Sequence, residues 1–135
     1  MNANLQAIVV AIATDVRYWA EGRASSPYSK LDGWCARASA ELFKQLKEED
    51  IDASIHVWNE NTGEIAHVFV VVDDHVVDVT ATQFPEFEDK PVVILHQREA
   101  EAYEFYQTKH VFHSVQELLK YQKKSRWPAS QMAFA

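Results

Sequence analysis

The segment His67-Val68-Phe69-Val70-Val71-Val72-Asp73-Asp74-His75-Val76-Val77-Asp78-Val79-Thr80 constrains the fold more than any other part of the chain. β-Branched residues dominate both of its runs, and such residues favour the pleated, half-buried surface of a sheet. The runs are broken only by paired aspartates, which tolerate the positive φ of a tight hairpin turn. With a two-residue turn at Asp73 and Asp74, Val72 opposes His75 and Val71 opposes Val76. His67 then falls opposite Thr80 and diagonal to Asp78 on the same face, at a spacing of roughly 7–8 Å that long side chains bridge. A three-residue loop would put His67 and Asp78 on opposite faces, because one step of register reverses every side chain. An imidazole heading an apolar strand and a carboxylate among valines each need a polar partner once buried. In the first register they satisfy each other.

Helices are expected on either side of this sheet region. Leu5, Ile8, Val9, Ile12, Val16 and Trp19 recur at three- and four-residue steps and mark one face of a first helix ending near Gly22. Arg23 to Asp32, with Ser25, Ser26, Pro27 and Ser29, reads as a loop. A second helix is predicted from about Gly33 to Glu49, with Asp32 as its cap. It carries Cys35 in its first turn, and Ala38, Leu42 and Leu46 follow on nearly the same face, which aims the thiol toward the body of the domain.

After Asp50 the hydrophobic period shortens to two. Strands are predicted over Ala53–Trp58, Ile65–Val72, Val76–Thr80 and Val92–His96, then a short helical stretch over Glu99–Tyr106. Ser114, followed by Glu117, forms a capping box that opens a last helix. The expected fold class is α+β, with helices first and last and an antiparallel sheet between them, in a single catalytic domain spanning 1–135.

Charge and composition exclude several classes of function. A net charge of -7 works against binding a phosphate backbone, so nucleic acid is not an expected partner. The basic cluster Lys123, Lys124 and Arg126 reads as a solvated helix end. The apolar run Ala7 to Ala13 is too short to cross a bilayer, no basic residue precedes it, and Asp15 and Arg17 soon follow, so neither a membrane span nor a signal peptide is expected. The lone cysteine cannot form an internal disulfide, and a reduced, cytoplasmic setting is the default reading. His110 and His113 lack nearby partners with metal-ligand spacing, and the chemistry below requires no metal or cofactor.

That chemistry rests on Cys35, His67 and Asp78. A thiolate is stabilised by the amides of a helix N-terminus and by a neighbouring imidazolium, and Cys35 has the first by position. In a triad, Cys35 attacks a carbonyl, His67 removes the thiol proton and later delivers one to the leaving group, and Asp78 orients the ring and stabilises its charge. The contrasting reading is a structural domain in which the three never meet, Cys35 being a small core residue.

Gly33-Trp34-Cys35 opening a helix, His67 starting an apolar strand, and Asp78 with Thr80 on the next give an order that resembles the papain-like and transglutaminase-like superfamily of cysteine enzymes. The resemblance covers roughly Tyr28 to Phe84. It implies a nucleophile helix packed on an antiparallel sheet and amide chemistry through a thioester. Members of the superfamily include peptidases, cell-wall amidases, glutamine deamidases and transglutaminases, and fold resemblance does not choose among them. Papain-like peptidases usually carry an oxyanion-binding glutamine a few residues before the cysteine, whereas no glutamine stands between Gly22 and Cys35. The backbone amide of Cys35 is one replacement donor, and Tyr28, Trp34 and Gln83 are side-chain candidates. Only Arg23 to Asp32 and Gln83 to Pro91 are left as sizeable loops, and two short walls suit a side-chain amide better than an extended peptide. The expected substrate is therefore a glutamine-like carboxamide of a protein or peptide, and the expected activity is glutamine deamidase-like or transglutaminase-like, with release by water or by an amine. The alternatives are a papain-like peptidase acting on backbone amides, and an inactive protein-binding module on the same fold.

Overall fold

A computed structural model of the chain describes residues 1–24 and 30–134. The expected two-residue turn is present: Asp73 and Asp74 both adopt left-handed backbone, with φ of 47° and 60°. It joins β2 (Ala66–Val72) to β3 (His75–Asp78) with Val72 opposite His75, Val71 opposite Val76 and Val70 opposite Val77. β1 (Ser54–Asn59) pairs with the other edge of β2, β4 (Val93–His96) flanks β3, and β5 (His110–Phe112) flanks β1. All of these pairings are antiparallel, giving a five-stranded sheet in the order β4-β3-β2-β1-β5. Before the sheet come α1 (Ala3–Arg23) and α2 (Cys35–Glu48), and α3 (Gln97–Ala100) and α4 (Val115–Lys124) complete an α+β architecture.

Strand alternation divides the core. Val68, Val70, Val72 and Val77 pack with α1 and α2 on one face, while Phe69, Val71 and Val76 meet Phe87, Phe105 and Tyr106 on the other. Each fully buried aliphatic or aromatic side chain contributes roughly 1.5–3 kcal/mol. α2 lies between α1 and β2, so its buried residues wrap most of its surface, from Cys35 and Ala36 to Leu42, Phe43 and Leu46. The Ser39 hydroxyl donates to the Val68 carbonyl at 3.0 Å and fixes α2 against the start of β2.

Several sequence expectations are corrected. On α1 the expected face packs through Val9 and Val16, with Leu5, Ile12 and Trp19 partly buried against the core, but Ile8 is 47% exposed and the face also takes in Ala13, Arg17 and Ala20. Asp32 does not cap α2. The chain turns at Leu31 and Gly33, which have φ of 61° and 78°, and the Trp34 amide donates to the Leu31 carbonyl at 3.0 Å. The cap residue is therefore Trp34, which makes no side-chain cap bond, and Cys35 is the first helical residue. β3 stops at Asp78 instead of reaching Thr80, because the Thr80 amide donates to Asp78 Oδ1 at 2.9 Å rather than to a neighbouring strand. The stretch expected to be helical from Glu99 resolves into α3 and a separate 3-10 turn, Glu104–Tyr106, with extended backbone at Tyr103 between them. The sequence reading missed β5, a three-residue strand that begins with a histidine. Ser114 does cap α4, accepting from the Glu117 amide at 3.1 Å. No described helix is long and apolar enough to cross a membrane.

The turn sets the register, so its backbone strain is testable. A β-branched side chain in left-handed backbone costs about 1–2 kcal/mol, whereas glycine carries no such cost. Asp74→Val is expected to lower the denaturant-unfolding free energy by about that amount, and Asp74→Gly to leave it level or raise it. Equal losses in the two variants would mean that the aspartate acts through its carboxylate and not through its φ.

Candidate active site

The register delivers what the sequence required of it. His67, buried at the head of β2, donates from Nε2 to Asp78 Oδ2 at 2.7 Å. Both side chains are fully shielded from solvent. A carboxylate can only accept, so this contact assigns the ring its Nε2 proton and turns Nδ1 toward the remaining partners. There the Gln83 side-chain amide has Nε2 at 3.2 Å from His67 Nδ1, and the Cys35 thiol lies near enough to the ring to favour its charged form. Cys35 arrives from the start of α2, is 6% exposed and carries a free thiol. Cys35, His67 and Asp78 thus meet as one connected set.

Asp78 is anchored beyond the histidine. Its Oδ1 accepts from the Thr80 amide at 2.9 Å and the Thr80 hydroxyl at 3.3 Å, and its Oδ2 also accepts from the Tyr106 hydroxyl at 2.7 Å. Burial is the largest influence on this carboxyl and opposes its ionisation. The adjacent His67, with the hydrogen bonds from His67, Thr80 and Tyr106, overcomes burial and holds Asp78 below the usual carboxylate range. Burial likewise opposes charging of His67, but the Asp78 carboxylate, its hydrogen bond and the Cys35 sulfur together raise the ring to about 9. Tyr106 is pushed far up, first by burial and then by the Asp78 charge, so it remains a donor.

Aromatic rings confine the imidazole. Phe69 stacks on it at 5.9 Å, Phe84 meets it edge-on at 4.8 Å, and Phe105 and Tyr106 close in at 6.1 and 5.9 Å. These contacts restrict the rotation of the ring.

The other candidates separate clearly. Gln83 reaches the site because it ends the 3-10 turn Ala81–Gln83, immediately after Thr80. Trp34 is engaged elsewhere, packed edge-on to Trp19 at 6.1 Å and to Phe134 at 6.2 Å with the Arg37 guanidinium over it. Tyr28 lies outside the described residues. Two contributors escaped the sequence reading. Tyr106 comes from a distant turn, and its only signal was an aromatic-rich stretch, Tyr103 to Tyr106. Arg17 lies buried on the packed face of α1, where a charge among apolar residues was the available clue. Its Nη1 donates to the Val79 carbonyl at 3.0 Å and the Thr82 hydroxyl at 2.8 Å, and Thr82 in turn donates to the Lys30 carbonyl at 2.9 Å. Arg17 thereby ties the segment before Cys35 to the turn bearing Gln83.

No group of three or more metal-ligating side chains occurs among the described residues. Comparison with family models, with curated proteins and with solved structures gives no match to this chain.

The pair fixes how stability depends on pH. His67 is raised to about 9, above its unfolded value of about 6.5, so its contribution is full below the unfolded value and is lost as pH rises through about 9. Asp78 is lowered, so its contribution is present above the ordinary carboxylate range and is lost as pH falls below it. His56 is lowered to about 4 by burial and then by His113. Its stabilisation is present above about 6.5 and lost as pH falls through about 4. Melting temperature is expected to form a plateau that falls on both sides, and His67→Gln is expected to abolish the alkaline fall. An unchanged alkaline limb in that variant would assign it to other groups. Tyr106→Phe, which removes one donor to a buried carboxylate, is expected to cost about 2 kcal/mol in denaturant unfolding.

Proposed function

We propose that the chain is a cysteine hydrolase or acyltransferase of the papain-like and transglutaminase-like kind, acting on a carboxamide through a thioester at Cys35. The observation that carries this reading is the continuous path Cys35, His67, Asp78, whose His67–Asp78 contact is 2.7 Å with both partners buried. A nucleophile, a base within reach of it and a third group orienting that base form the arrangement covalent catalysis needs. The order of the three in sequence, on a helix and then successive strands, also supports the reading.

In this mechanism His67 Nδ1 takes the thiol proton and Asp78 holds the resulting imidazolium. The Cys35 sulfur adds to the amide carbon, and the carbonyl oxygen becomes an oxyanion. Gln83 is assigned as one donor to it and the backbone amide of Cys35 as another. An uncharged ring accepts from Gln83 at Nδ1, but a charged ring has no lone pair there. Because the ring is raised to about 9, it already holds that proton at neutral pH, which leaves the Gln83 amide free to serve the oxyanion. His67 then protonates the departing ammonia as the C–N bond breaks, leaving a thioester. Water activated by the same ring cleaves the thioester, giving an acid and a free thiol.

The substrate assigned is a glutamine-like side chain of a protein or peptide. Within Gln83 to Pro91, Phe84 packs edge-on to His67 and Phe87 is buried in the same aromatic cluster, which supports a short wall beside the ring. Water is the acceptor assigned, since an amine acceptor needs a dry channel.

Incubation with candidate protein substrates, read by mass spectrometry, tests the assignment. Deamidation is expected to appear as a gain of about one dalton with release of ammonia. Backbone cleavage without that gain would favour a peptidase, and an amine-dependent mass gain a transglutaminase. Cys35→Ala and His67→Ala are expected to abolish turnover with the fold retained, and Asp78→Asn to leave activity reduced by roughly 10³–10⁴-fold. Turnover is expected to fall above about pH 9, where His67 loses the proton destined for the leaving group. Activity retained in Cys35→Ala would sink the covalent mechanism.

A further inference from the structure

Residues 127–134 fold back from the end of α4 and lie against the start of α2. Their anchor on α4 is Gln122, a fully buried amide. Gln122 Nε2 donates to the Gln131 carbonyl at 3.1 Å and Gln122 Oε1 accepts from the Ala133 amide at 2.9 Å, so one side chain satisfies the strap's backbone on both sides of Met132. Arg37, in the first turn of α2, donates from Nε to the Met132 carbonyl at 3.2 Å and from Nη2 to the Ala129 carbonyl at 3.3 Å. Its guanidinium also lies over the Phe134 ring, 4.8 Å from the centroid. Phe134 completes a mutual edge-on cluster with Trp34 at 6.2 Å and Trp19 at 6.4 Å. The Gln131 side chain covers Gly33, where a Cβ would meet it at 3.6 Å.

Gly33, Trp34 and Arg37 bracket Cys35, and all of them are held by this strap. The point at which α2 begins lacks the usual means of being fixed, because its cap residue makes no side-chain hydrogen bond. We infer that the strap is a positioning element for the nucleophile: it fixes the first turn of α2 and so sets the place of the Cys35 sulfur relative to His67. Phe134 and Arg37 are its positioning residues. Neither is assigned contact with the substrate.

The part of this inference that concerns catalysis rests on the proposed amide chemistry, but the part that concerns helix α2 does not, and the experiment keeps them apart. Phe134 is 41% exposed, so Phe134→Ala should fold. In the full chain it is expected to speed amide hydrogen exchange over residues 34–38 by about tenfold, with the core strands unchanged. It should also lower kcat by about tenfold with KM held within about twofold, because small misplacements of a reacting group reduce rate more than binding. Phe134→Tyr, which keeps the ring, should restore both, and Arg37→Ala should reproduce the alanine phenotype. Unchanged exchange over residues 34–38 in both alanine variants would overturn the inference, whether or not the protein turns over an amide. Failure of wild-type turnover with faster exchange in the variants would instead retire the functional reading and leave the strap's hold on α2 standing. A rise in KM at unchanged kcat would also overturn it, making Phe134 part of the substrate wall.

Discussion

The buried pair of His67 and Asp78 is the interaction on which the rest of the site depends. Two ionised groups taken fully out of water are costly, and their mutual attraction repays that cost only when the remaining lone pairs are also satisfied. Here they are: Thr80 and Tyr106 occupy the rest of the Asp78 carboxylate, and no buried side-chain polar atom among the described residues lacks a partner. Removing one member leaves a stranded charge and costs about 3–5 kcal/mol. That asymmetry explains why elements distant in sequence converge here. β2 and β3 supply the pair, the Glu104–Tyr106 turn supplies a donor, and Arg17 holds the chain just beyond β3 against α1.

The two faces of the sheet do different work. The face toward α1 and α2 is aliphatic and docks the helix that carries Cys35, while the opposite face is aromatic and confines the imidazole. His67 belongs to the aromatic face but stands at the second position of β2, where the strand has only begun. There the ring is influenced by Cys35, which belongs to the aliphatic core on the helical side.

Much of this was legible because it depends on local rules. Two aspartates between β-branched runs specified the hairpin, the hairpin specified the register, and the register placed His67 beside Asp78. Gln83 was found because it follows the second strand closely in sequence. Tyr106 and Arg17 were not legible: each enters through a long-range contact, and neither a tyrosine in an aromatic run nor an arginine in an amphipathic helix announces its acceptor. Asp32 was misread for a related reason. Capping preference ranks aspartate high and tryptophan low, but the left-handed backbone at Leu31 and Gly33 shifts the helix start beyond Asp32. The three residues of β5 were too few for periodicity to register.

That displaced start has a chemical consequence. A capping aspartate would fill the amides of the first turn with a carboxylate and set a negative charge there, which for the proposed reaction would oppose a developing oxyanion. Trp34 makes no side-chain bond to those amides, so no cap occupies them. The alternative carries a conformational cost, since a leucine in left-handed backbone is strained by about 1–2 kcal/mol. Leu31 is fully buried, and the neighbouring Lys30 carbonyl is held by Thr82 at 2.9 Å, so tertiary packing supports the strained turn. For the proposed reaction, exchanging a cap for a strained turn and a C-terminal strap places the nucleophile at a helix end that no carboxylate has neutralised.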